Sequence, residues 1–237
     1  MKLQDIFDQL SAGEFSQLSM GGAPAGVIDD SNYGRVLNHV NLGLTALFSR
    51  FTLKKGQLAL SLQPGQTHYK LTSAYAVNAR RSKEPVRYIL DTAADPFMDD
   101  VIKVEQVWTD QGVELGLNDA NDPMAVSTPS ALVLRVPEGL TFETLTVDYR
   151  ATHPKLVVSM GYFDPTRIPV QLPQTHLEAL LFYVASRVNN PIGMTGEFHA
   201  GNSYYARYEQ ACQWLEGKGL QVDQGGSNDR LRRNGWV

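Results

Sequence analysis

The sequence predicts an α+β fold in which helices from both ends of the chain form an antiparallel bundle around which an inserted β domain and an extended C-terminal arm are arranged. Three observations lead there: apolar residues recur at helical spacing up to Phe51, the period drops to two over residues 57–165, and helical spacing returns from Leu172.

The first helix is short. Leu3, Ile6, Phe7 and Leu10 share one stripe that ends near Gly13, after which Gly21-Gly22-Ala23-Pro24 forces an irregular connection. The second is predicted over residues 30–50, where Tyr33, Val36, Leu37, Val40, Leu44, Leu47 and Phe48 recur every three or four positions, with Phe51 beyond. Asp29, Asp30 and Ser31 are its N-cap candidates, and Lys54-Lys55-Gly56 supplies basic charge and a stop.

In the β region Leu58, Leu60 and Leu62 alternate with polar neighbours before Pro64-Gly65, and Tyr69 and Leu71 follow, which reads as a hairpin. Further strands are predicted at 86–90, 101–109, 113–117, 131–136 and 145–151, separated by turn formers such as Asp110-Gln111-Gly112 and Pro137-Glu138-Gly139. No helical crossover separates them, so an antiparallel sandwich or small barrel is expected.

Pro173 opens a third helix carrying Leu177, Leu180, Leu181, Val184 and Val188, ended by Asn189-Asn190-Pro191. A fourth is predicted over 202–217, with Tyr204, Tyr205, Tyr208, Cys212 and Leu215 inward and Gly217 and Gly219 as breakers. The organisation expected is a discontinuous helical domain from 1–56 and 166–220, a β insertion at 57–165 and an arm at 221–237.

Composition narrows the function. With 43% apolar and 19% charged residues, the 237-residue chain has the make-up of an ordinary globular protein. A net charge of −4 and a pI near 5.7 argue against a protein whose main task is gripping nucleic acid or an anionic membrane. The single cysteine, Cys212, cannot form an internal disulfide, so a reducing cytoplasm is expected. Met1-Lys2-Leu3-Gln4-Asp5 does not begin a signal peptide, and no apolar run is long enough to span a bilayer; neither secretion nor membrane insertion is expected.

Signatures of chemistry are sparse. The chain has no phosphate-cradling Gly-rich loop with a following Lys, no Gly-x-Ser-x-Gly, no His-Glu-x-x-His and no cysteine pair for zinc. His39, His68, His153, His176 and His199 stand singly, and no metal or cofactor is expected. Asn118 to Asp122 faintly resembles a calcium loop but lacks its glycine and its bidentate glutamate, so a surface turn is the plainer reading. Cys212, on an apolar stripe without an activating base nearby in sequence, reads as a small hydrophobe. Tyr204, Tyr205, Tyr208 and Trp214 read as core packing, with a nucleic-acid stacking platform as the rival. The basic run Arg80-Arg81-Ser82-Lys83, with Arg87, reads as a solvated loop or as a contact with an acidic neighbour.

The C-terminal segment calls for more. Gly225-Gly226 is a flexible lead into Ser227-Asn228-Asp229-Arg230-Leu231-Arg232-Arg233-Asn234-Gly235-Trp236-Val237, and arginines with a large aromatic are what binding hot spots are made of. A segment that folds onto a partner gains an anchor from its terminal Trp-Val.

Three stretches then carry a resemblance: Tyr33 through Phe51, Leu177 through Arg187, and Asn228 through Val237. They resemble the head-to-tail adaptors (connectors) of tailed bacteriophages, of the tail tubular protein A or gatekeeper type, over nearly the whole chain at the level of architecture. The resemblance implies a virion protein of the neck, assembled in the host cytoplasm as a ring, usually a dodecamer, beneath the portal protein. It also implies a helical bundle beside the DNA channel, a β insertion facing outward or toward a downstream tail or nozzle protein, and an arm reaching the portal. In that role Trp236 fills a portal pocket, and Leu231 and Val237 are among the portal-binding residues. Arg230, Arg232 and Arg233 pair with portal carboxylates or carbonyls, Asn228 and Asp229 belong to the same hook, and Gly225-Gly226 lets the arm leave the bundle. DNA is transient cargo, and a net acidic chain suits a conduit that must not hold phosphates. Two rivals remain at this stage: a β-sandwich hydrolase, and a glycan- or ligand-binding β module using Trp108 and the loop after Ser73.

Overall fold

The computed structural model describes residues 1–20, 24–79, 84–157, 163–189 and 196–219, with the backbone alone over 196–200. Its fold is mixed α+β, with four α-helices and two antiparallel sheets among the described residues. The chain divides into two compact units, one made of Met1–Leu53 with the chain from Lys155 onward, the other of Lys54–Pro154.

In the helical unit, α1 (Leu3–Ala12) buries Leu3, Ile6, Phe7 and Leu10, the stripe expected from spacing. Its first turn is tied by the Lys2 N–H, which donates to Asp5 at 2.7 Å. Helix α2 (Asp30–Arg50) starts where Asp29 caps it: one carboxylate oxygen accepts the N–H groups of Ser31 and Asn32 at 3.1 and 3.2 Å. This satisfies two of the donors that a helix start leaves open.

A 3₁₀ turn, Gln174–His176, leads into α3 (Leu177–Val188), which packs on α1, α2 and α4 (Gly196–Gly217). Because α3 has neighbours on several sides, it buries Ala179, Leu180, Leu181, Tyr183, Val184, Ala185 and Val188 rather than one narrow stripe. Helix α4 begins before the expected residue 202. The end of α2 is fastened to it by Arg50, whose Nε meets Glu216 at 2.6 Å and Nη1 meets Glu209 at 2.7 Å. The bond to Glu216 first, and then that to Glu209, hold the guanidinium further toward its charged form, and Arg50 in turn lowers the Glu216 pKa.

The β unit contains β1 (Lys55–Ser61), β2 (His68–Lys70), β3 (Ile89–Leu90), β4 (Val101–Thr109), β5 (Glu114–Leu115), β6 (Ser127–Ser130), β7 (Val133–Arg135) and β8 (Thr144–Ala151). They form a five-stranded sheet in the order β3-β1-β8-β4-β5 and a three-stranded sheet in the order β2-β7-β6. The expected hairpin between β1 and β2 is not formed: β1 pairs with β8 and β3, while β2 pairs with β7. The turn itself is present, with Gly65 at φ +74°, but the chain changes sheets there. Leu62 donates to Glu143 on one side, and Thr67 accepts from Val136 on the other. Beyond Ala151 the chain leaves the sheet, and the β unit ends at Pro154 rather than at the expected 165.

Both sheets contribute to one apolar core, with Leu58, Leu60, Val104, Val107 and Val147 from the larger and Tyr69 and Leu134 from the smaller. Strand β8 alternates perfectly between buried and half-buried residues. Strand β4 does not, because register shifts between Val101 and Lys103 and between Val104 and Gln106 re-aim its side chains. Tyr88, buried at the core, donates to Lys70 O at 3.1 Å and accepts from Lys70 N at 2.7 Å, and burial pushes its phenol up to about 12.

Candidate functional site

Helices α3 and α4 bound a groove of about 490 Å³ within the helical unit. Ala179 and Phe182 on α3 line it with Ala211, Trp214 and Leu215 on α4. Arg207, Ala211 and Trp214 follow one another at helical spacing, so α4 presents this second face in addition to the buried one carrying Tyr208, Cys212 and Leu215. Trp214 is 57% exposed, an uncommon state for the largest apolar side chain.

Two charged residues line the groove. Glu178 stands on α3 and Arg207 on α4, the latter with its guanidinium 5.5 Å from the centre of the Tyr204 ring. The Tyr204 hydroxyl donates to Glu14 O at 3.4 Å. The Glu14 carboxyl is pushed up, first by burial and then by Glu178, while Arg207 opposes the shift. The Lys218 ammonium lies 6.0 Å from the centre of the Trp214 ring. Such a lining of alanines and aromatics with one acid and one base suits docking of an apolar segment with polar ends.

The residues singled out from sequence fall as follows. Asn228, Asp229, Arg230, Leu231, Arg232, Arg233, Trp236 and Val237 lie outside the described residues, as do Arg80, Arg81 and Lys83. Arg87 is described, and its Nη1 donates to Val77 O at 3.0 Å, fastening the two ends of the loop that carries the basic run. Of the tyrosine cluster, Tyr208 is buried edge-on to Tyr183 at 5.1 Å, and Tyr204 is half-buried. Tyr205 and Trp214 are exposed, which corrects the expectation of core packing at both: the inward stripe of α4 is narrower than the run of aromatics.

Cys212 is fully buried, and burial pushes its thiol up, against nucleophilic use. Of the histidines, His153 and His176 are buried, and burial lowers the pKa of each. Among the described residues no three His, Cys, Asp or Glu side chains are grouped as a metal site. In the segment 118–122 the carboxylates of Asp119 and Asp122 accept the N–H groups of Asn121 and Met124, both at 2.9 Å, so they brace turns. Trp108 Nε1 donates to Asp148 at 2.9 Å across the β4–β8 ladder, and Ser73 N donates to Asp99 at 2.5 Å. Among the described residues no helix is long and apolar enough to cross a membrane.

No protein-family model matches the chain, and no curated protein matches it significantly.

Proposed function

We propose that the chain is a structural adaptor of a phage neck: one subunit of a ring, dodecameric as in the adaptors it resembles, joining the portal to the tail around a passage for DNA. On this reading the four helices are a bundle beside the channel, the two sheets are a sandwich directed to the next tail protein, and residues 221–237 are the hook for the portal. The single observation that supports it most is topological. Both ends of the chain build one helical unit, with Lys54–Pro154 inserted between α2 and α3, which is the order of elements the resemblance requires.

An exposed Trp214 in a groove also suits a subunit that completes its surface by assembly. The work proposed is positional, carried by shape and a peptide hook, with no substrate turned over. Deleting residues 225–237 should abolish binding to the portal of the same virus while the subunit keeps its circular dichroism spectrum. Portal binding that survives the deletion refutes the reading.

A further inference from the structure

The outer face of the larger sheet is electrically divided along its strands. On β8, Arg150 alternates with the buried Tyr149 and Ala151 and so points outward. Directly opposite it stand Lys55 on β1 and Lys103 on β4, both exposed, so three bases form one row across three adjacent strands. Like charges opposite one another in a ladder are destabilising, and the register of β4 is broken twice where this row forms. A bulge between Val101 and Lys103 brings Lys103, rather than Ile102, opposite Arg150. A second, between Val104 and Gln106, leaves Glu105 outside the ladder, where it accepts from Nε and Nη2 of Arg150 at 3.2 and 2.9 Å. Among the described residues Lys55 and Lys103 have no ion pair. Asp100 is engaged by Lys54 and Tyr149, and Asp91 by the N–H groups of Asn78 and Phe97.

The opposite end of the same sheet is acidic. Glu114 on β5 lies opposite Trp108, Asp110 follows β4 and Glu143 precedes β8, and all three are exposed. The segments that make this end, 61–67, 109–117 and 138–146, contain no Lys or Arg. Arg135 belongs to the smaller sheet, where it lines a pocket with Asp119 and Asp122. Measured along β8 from Arg150, the acidic end begins level with Thr146, which pairs with Trp108, and reaches Glu143, a span of about 13 to 23 Å. That exceeds the Debye length of about 8 Å at physiological salt, so the two ends of one chain do little to relieve each other.

We propose that each end of this face docks on the other end of a second copy of the chain, so that Lys55, Arg150 and Lys103 of one subunit meet Asp110, Glu114 and Glu143 of the next. An acidic partner of another kind would leave the acidic end unmatched, whereas a second copy matches both. Every subunit then offers one basic and one acidic patch, the head-to-tail arrangement that closes into a ring when its rotation permits. The proposal rests on the adaptor reading and deepens it by giving the ring a contact between neighbours. Charge complementarity of this kind governs partner choice and rate of encounter, and it weakens with salt.

Sedimentation velocity of the full chain at low ionic strength tests this. The wild-type chain should form species larger than a pair, and added salt should disperse them. Lys55→Glu with Lys103→Glu leaves acid at both ends, and Asp110→Lys with Glu114→Lys leaves base at both ends. Each of these variants should sediment as a monomer with its circular dichroism unchanged. Mixed in equal amounts they should assemble again, because each supplies the patch the other lacks. In the wild type a carbodiimide, which joins an amine to a carboxylate in contact, should link Lys55 or Lys103 of an isotope-labelled chain to Asp110, Glu114 or Glu143 of an unlabelled one. A wild-type chain that stays monomeric and gives no such link overturns the proposal, and so does a mixture as inert as its parts. Assembly that stops at a pair overturns the head-to-tail arrangement. Because portal binding enters neither measurement, failure here leaves the hook for the portal standing, and loss of portal binding leaves the contact between copies standing.

Discussion

Asn41 on α2 and Leu156 exchange two hydrogen bonds: the Asn41 amide donates to Leu156 O at 2.8 Å, and Leu156 N donates to Asn41 Oδ1 at 2.9 Å. One side chain thereby satisfies the donor and acceptor of a backbone residue that has just returned from the β unit. Asn41→Leu removes both partners at once and should cost about 1–3 kcal/mol. Hydrogen exchange at Leu156 should rise in step with the lower unfolding temperature. Unchanged exchange would show that the clip does not hold the returning chain.

At Gly43, α2 lies close against α3. A Cβ there would lie 2.6 Å from Leu180 Cδ1 and 3.0 Å from Tyr183 Cδ1, and Leu180 is fully buried with nowhere to move. Alanine gains about 1 kcal/mol in helix propensity over glycine, while overpacking costs about 1–3 kcal/mol. Gly43→Ala should therefore be neutral to destabilising by about 2 kcal/mol in chemical denaturation. Gly34→Ala on the same helix, where a Cβ meets nothing within 4 Å, should stabilise.

In the β unit, Gly56 makes room for the Tyr149 ring, whose Oη would lie 2.6 Å from an added Cβ and which donates to the buried Asp100 at 2.9 Å. Lys54 Nζ meets the other Asp100 oxygen at 2.7 Å. Burial first, and then Asp100, push the Tyr149 phenol up, so it remains a donor throughout the neutral range. Tyr149→Phe should cost about 1–3 kcal/mol, since it leaves one oxygen of a buried carboxylate short of a partner. Gly56→Val should cost at least as much by displacing the ring. A fluorine label on Tyr149 would report that displacement, and an unmoved resonance would count against it.

Acid should loosen the helical unit. Burial lowers the His176 pKa, and burial first, then Arg35 and Arg187, lower that of His39. The unfolded chain takes up these protons near the ordinary value of 6.5, before the folded chain does, so the stability is complete above that pH and falls as pH drops below it. The slope is at most about 1.4 kcal/mol per pH unit for each histidine. Glu14 works the other way: its raised pKa lets the folded chain bind a proton above the ordinary 4.5, offsetting part of the loss in that lower range. His176→Phe, keeping an aromatic ring edge-on to Phe51, should flatten the fall in unfolding temperature between about pH 6.5 and 5.5. An unchanged slope would show that His176 does not contribute to it.

Elements with a strong period are legible in the sequence. Helix α2 spans the predicted residues 30–50 behind its Asp29 cap, and β8 alternates without a fault. Partners are less so. Pro64-Gly65 signals a turn but not whether the next strand pairs with the last, because pairing is decided by Leu62 and Thr67 finding different neighbours far along the chain. Strand β6, Ser127–Ser130, is hidden by Pro129, which a central strand would not accept and which the edge position of β6 tolerates. The groove is hidden for another reason. Apolar residues occupy two faces of α4, and spacing within one helix does not tell the covered face from the open one. Residues 225–237 lie outside the described residues, and their part in the proposed function is read from residue types alone.

The chain enters the β unit on β1 and leaves it on β8, and these strands are paired, with Ala151 N donating to Lys54 O at 2.9 Å. Both ends of the insertion therefore stand side by side, and closing the gap they leave takes only a short peptide with little loop entropy. Residues 54–154 have the form of a cassette: a descendant gene could exchange them for another module, and a designer could replace them with a short bridge, without rewiring the helices that host them.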